Sequence, residues 1–109
     1  MRKLFFFAFL SMLTVRSMAQ TGYRIVDTFH IASAGWWDYL SVNGNKLYVS
    51  HGTQVNILDK NTGDSTGVIS GTNGVHGIAF NVGAGRGYTS NGRLDNVFVF
   101  DINSAKILD

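Results

Sequence analysis

The chain has 109 residues, enough for one small domain, and it contains no cysteine, so disulfides, thiolate metal sites and thiol nucleophiles are all excluded. Three of its nine basic residues (Arg2, Lys3, Arg16) fall in the first nineteen positions, and the remainder carries six Lys and Arg against seven Asp. That near-neutral balance argues against a nucleic-acid partner for the part that folds.

Residues 1–19 open on Arg2-Lys3, continue through an apolar run of twelve from Leu4 to Val15, and end on Ser17-Met18-Ala19. A basic start, a short apolar centre and small residues before a cut describe a signal peptide, with cleavage expected between Ala19 and Gln20. The run is too short to span a bilayer, which needs about 20 apolar residues. The mature chain is therefore expected to be exported, periplasmic or secreted, with no membrane span after cleavage.

From residue 22 onward, the pattern is that of short strands. Tyr23 to Ile31 places Tyr23, Ile25, Phe29 and Ile31 on one side at period two and predicts a half-buried strand. Trp36–Val42 predicts the next strand, and Asn43-Gly44-Asn45 is a strong hairpin signal. Lys46–Ser50, Gln54–Leu58 and Ser65–Ser70 complete a set of four, with Asp59 to Asp64 as a polar turn. The pattern then restarts with Val75–Phe80, Gly87–Ser90 and Asn96–Phe100, and Lys106 to Asp109 opens a further strand.

The restart is a repeat. Tyr48-Val49-Ser50-His51-Gly52 returns forty positions later as Tyr88-Thr89-Ser90-Asn91-Gly92, and Val55–Asp59 returns forty-two positions later as Val97–Asp101. The two extra residues lie in the loop between the echoes. Four antiparallel strands per repeat of about forty residues predict blades of a β-propeller rather than a sandwich, which carries no such internal recurrence. The expected fold class is all-β, a propeller of four-stranded blades of which this chain holds about two. Blade one covers residues 36–70, an incomplete blade two covers 75–109, and residues 22–31 form an outer strand that closes the ring.

Leu47-Tyr48-Val49-Ser50-His51-Gly52, the strand ending in Asp59, and Asn61-Thr62-Gly63 together resemble the YVTN-repeat β-propeller family of exported, YncE-like proteins. The second copy, with Asn91 after Tyr88-Thr89-Ser90, is similar at the asparagine as well. The resemblance covers about residues 22–109 and implies a fold rather than an activity. Because propellers close with about four to eight blades, it also implies that further blades of the same protein complete the ring, or else that an open two-blade unit oligomerises.

On that architecture Asp38, His51, His76 and Asn91 are the residues expected at one rim of the channel, as ligand-binding candidates. The three histidines are spaced by 21 and 25 residues, which matches no metal-ligand motif; neither a metal nor another cofactor is expected. Asp59 and Asp101 share a repeat position and suit turn-opening better than acid–base catalysis. Trp36, Trp37 and Tyr39 are expected to fill the gap between blades rather than to form a stacking platform. Gly83 to Gly87 lacks the Lys-Ser/Thr ending of a phosphate loop, and no nucleophile elbow is present. The reading is a non-enzymatic binding or interaction scaffold of unknown ligand. Its alternatives are a metal-dependent propeller hydrolase or lactonase, and a platform for another exported protein.

Overall fold

The computed structural model describes residues 22–109, so the signal-peptide reading of residues 1–19 lies outside the described residues. Seven strands run in chain order: β1 (Trp37–Asn43), β2 (Lys46–His51), β3 (Gln54–Asp59), β4 (Ser65–Ser70), β5 (Val75–Asn81), β6 (Arg86–Asn91) and β7 (Asn96–Asp101). They form two antiparallel sheets, ordered β1-β2-β3-β4 and β5-β6-β7. The chain is thus all-β over the described residues. After β7, Ile107 bridges to Phe100, and Val99 exchanges backbone hydrogen bonds with Leu108 and Asp109.

The two sheets repeat each other in register. Trp37 pairs with His51 as Val75 pairs with Asn91, and a bulge follows in each, before Leu40↔Val49 and before Ile78↔Thr89. Lys46↔Asp59 corresponds in the same way to Arg86↔Asp101. The extra residues are confined to turns. The β2–β3 hairpin needs only Gly52 and Thr53, with Gly52 at φ 63°, whereas β6–β7 closes through Gly92 to Asp95. The β5–β6 turn is a short 3-10 segment, Val82–Ala84, against Gly44-Asn45 in the first sheet.

Alternation along each strand makes two faces. In the first sheet Tyr48, Ser50, Val55, Ile57 and Ile69 share one face, and this face packs on Val75, Ile78, Phe80 and Phe100 of the second. Tyr48 is fully buried there, its ring 4.8 Å from that of Phe80 and 6.1 Å from that of Phe100. Burial pushes the Tyr48 phenol above its ordinary pKa. Side-chain hydroxyls lock the junction: Ser41 Oγ donates to Ile78 O at 2.9 Å and Ser50 Oγ to His76 O at 2.8 Å.

Two placements differ from the expected ones. Residues 23–31 form no strand: the outer strand expected there would pair with the last blade of the ring, and among the described strands the segment pairs with no edge but runs beside Asn56 and Leu58 of the first sheet. Phe29 lies against Gly63, Ser33 Oγ accepts from Asn56 Nδ2 at 2.9 Å, and Tyr23, Ile25 and Val26 stay exposed. Secondly, Trp36, Trp37 and Tyr39 do not fill the space between the sheets, which is occupied by Tyr48, Phe80 and Phe100. They are 84%, 49% and 55% exposed, because β1 is an edge strand that begins at Trp37, with Trp36 just ahead of it.

The turn role of the aspartates is plain in the hydrogen bonds. Asp59 Oδ1 accepts from the backbone N–H of Asn61 and Thr62, and Asp101 Oδ1 from those of Asn103 and Ser104. The Asn61 N–H above all, with that of Thr62, holds the Asp59 carboxyl below the usual carboxylate range; the Ser104 N–H and hydroxyl do the same for Asp101.

Candidate functional site

Asp38 and His76 are the second residues of β1 and β5, so they occupy one repeat position in two sheets. The packing brings these two edge strands side by side, and His76 Nδ1 meets Asp38 Oδ2 in the one ion-pair geometry among the described residues. Both side chains remain open to solvent, at 64% and 44%. Ser50 fixes this meeting from below. Its hydroxyl, fully buried, accepts from Tyr39 N–H at 2.7 Å on the β1 side and donates to His76 O on the β5 side. Ser90 repeats half of that device, accepting from Gly77 N–H at 2.9 Å.

Three glycine turns build the floor. Gly74 N–H donates to Gly52 O and Gly92 N–H to Gly74 O, each at 2.8 Å, and Arg93 N–H reaches Asn73 O at 3.3 Å. Gly74 has φ 69°, and a Cβ there would stand 2.6 Å from Arg93 N, so only glycine fits on both counts. At Gly92 a Cβ would meet the His76 ring at 3.1 Å. Bare backbone is what keeps the space over these turns open.

That space is a cleft of about 480 Å³ lined by Trp36, Trp37, Asp38, Val75, His76 and Arg93 over the three glycines. A second hollow of about 490 Å³ adjoins it, sharing His76 and Gly92, and is lined by Ser90, Asn91, Asp95, Asn96 and Val97. The Arg93 side chain makes no hydrogen bond or ion pair among the described residues, so the carboxylate of Asp38 is engaged by His76 while the guanidinium of Arg93 is not engaged.

Of the four residues singled out from the sequence, Asp38 and His76 come into direct contact, and Asn91 lines the hollow beside His76. His51 sits apart. It is 1% exposed, lies flat under the Trp37 indole with ring centroids 3.6 Å apart, and its Nδ1 bonds the Ser33 hydroxyl at 2.7 Å. It supports Trp37 rather than lining the cleft. Its Nε2 and the Oδ1 of Asn91 are buried without a hydrogen-bond partner, although Asn91 Nδ2 donates to Asn96 Oδ1 at 3.0 Å. Arg93, Asp95 and Asn96 are the lining residues that motif reading passes over. Their signal was the two-residue lengthening of the second β-hairpin loop, which places a cation where the first repeat has Thr53.

Among the described residues no three His, Cys, Asp or Glu side chains converge as a metal site, and no helix is long and apolar enough to cross a membrane. No protein-family model, curated protein or solved structure matches the chain.

Proposed function

We propose that this chain contributes successive blades of an exported, YVTN-type β-propeller, and that it works as a binding scaffold whose ligand sits where neighbouring blades meet. The observation that carries the reading is the Asp38–His76 pair: equivalent positions of consecutive repeats converge at an open cleft instead of closing against each other. Repetition supports the architecture, since both sheets share register, bulge and serine device. So does the difference between equivalent residues at the two packing faces. Val55 is fully buried by the second sheet, while Val97, at the same repeat position, is 56% exposed on a face that a third blade would cover. Export rests on the pattern of residues 1–19.

A scaffold of this kind recognises by shape and hydrogen bonding and turns nothing over. The test is elemental analysis of the purified full-length protein together with a lactone-hydrolysis assay in the presence and absence of EDTA. Metal well below one equivalent and no chelator-sensitive turnover is the expected result. One equivalent of metal with turnover abolished by EDTA overturns the scaffold reading in favour of a propeller hydrolase.

A further inference from the structure

We infer that the cleft over Gly52, Gly74 and Gly92 binds an acidic saccharide, one uronate unit of a glycan seated between Trp37 and Arg93; the inference rests on the binding-scaffold reading. Four features select this ligand class. Trp37 presents a held aromatic face, because its other face is stacked at 3° on the buried His51 ring, which in turn is fixed by Ser33. A flat indole of this kind takes up the C–H face of a pyranose, as aromatic platforms take up other flat rings. Trp36, next to it and 84% exposed, adds a wall that stands open along the surface. An enclosed pocket suits a small molecule buried on nearly all sides; this cleft is open along the surface, which suits a unit within a longer chain.

The polar groups divide the labour. Asp38 and His76, already bonded to each other, offer their remaining lone pairs and the second ring nitrogen to vicinal hydroxyls. The unengaged charge of the cleft is the guanidinium of Arg93. With the Asp38 carboxylate paired, the free cation asks for an anion, and a planar carboxylate is what a guanidinium fork accepts in two parallel bonds. A cationic ligand between the two tryptophans would face Arg93 without compensation.

The experiment is isothermal titration of the full chain with tetragalacturonate, and with neutral galactotetraose of the same length as comparison. Tetragalacturonate is expected to bind saturably and at least about tenfold tighter than the neutral chain, the effect of one charge-assisted contact. Arg93→Gln should abolish that preference while leaving neutral binding within about twofold, and Arg93→Lys should restore part of it. Trp36→Ala, at an exposed position that should leave the unfolding midpoint unchanged, should weaken both ligands about tenfold, as loss of a stacking face does. Absence of saturable binding, equal affinity for both tetramers, or indifference to Arg93→Gln and Trp36→Ala each overturns the inference. Failure here without metal-dependent turnover leaves the scaffold reading standing; chelator-sensitive turnover removes that reading whatever the titration gives.

Discussion

Tyr48 and Tyr88 hold one repeat position in two environments, and substituting each by alanine measures the contact between the sheets directly. Tyr48 is fully buried between Ile57, Ile69, Phe80 and Phe100. Its hydroxyl lies 3.5 Å from Ile102 O, too long to add much, so its contribution is packing. An aromatic side chain buries 150–250 Å²; at about 25 cal/mol per Å² that is roughly 4–6 kcal/mol of transfer free energy. Large-to-small replacements of buried aromatics cost about 3–5 kcal/mol in practice. Tyr48→Ala is thus expected to cost about 3–5 kcal/mol, and Tyr48→Phe under about 1 kcal/mol. Tyr88 is only partly buried, on the face that no sheet covers. Tyr88→Ala is expected to cost less than half as much as Tyr48→Ala. Urea unfolding of the full chain, followed by tryptophan fluorescence and circular dichroism, gives each ΔΔG. Equal losses at the two positions, or a loss below about 1 kcal/mol for Tyr48→Ala, well short of an aromatic cavity, would refute the packing of the first sheet's Tyr48 face on the second sheet.

Glycine substitutions separate strain from collision. Gly44→Ala (φ 59°, nothing near its Cβ) is expected to cost about 1–2 kcal/mol for the left-handed backbone alone, whereas Gly74→Ala, with Arg93 N in the way, should cost clearly more in the same urea assay; equal costs would contradict the close approach of the cleft floor. The carboxyls of Asp59 and Asp101 are depressed by backbone N–H donors, so their stabilisation is present above the unfolded carboxylate pKa of about 4 and is lost as pH falls through their folded values. The urea midpoint should fall between about pH 5 and pH 3, and the double variant Asp59→Asn/Asp101→Asn should flatten that slope; an unchanged slope would show that the turns do not carry it. The raised Tyr48 acts at the other end of the scale: its stabilisation is present below the unfolded tyrosine pKa of about 10 and is lost as pH rises through the folded value. Tyr48→Phe should therefore lessen the alkaline loss of stability, read from unfolding midpoints at pH 9 to 11.

Strand positions were legible in the sequence because each strand alternates and is bounded by Gly, Asn or Asp turns, and Ser65–Ser70 agrees to the residue. The pairing of Asp38 with His76 was legible in part. Aligning Trp37–Val42 with Val75–Phe80 makes them equivalent, yet their contact depends on how closely two edge strands approach, which Ser41 and Ser50 decide through hydrogen bonds to the next sheet. His51 holds the motif position of Asn91 in different surroundings: Trp37 opposite it in register is an indole, and Val75 opposite Asn91 is not. Residues 23–31 alternate like a strand, but alternation reports only a one-sided segment, and Phe29 and Ile31 serve that purpose by lying on a sheet face. Arg93 was invisible because loop length marks where a side chain can be added, not which cleft it reaches.

A ligand seated over Gly52, Gly74 and Gly92 would perturb the backbone of that cleft and leave the opposite turns untouched. Amide chemical-shift mapping of ¹⁵N-labelled full chain during titration with tetragalacturonate reads this residue by residue. A seat in the cleft requires shifts confined to residues 36–38, 52, 74–76, 92 and 93, around the Asp38–His76 pair. Shifts gathered instead at the opposite turns, around residues 43–46, 59–64, 82–85 and 101–106, would contradict it.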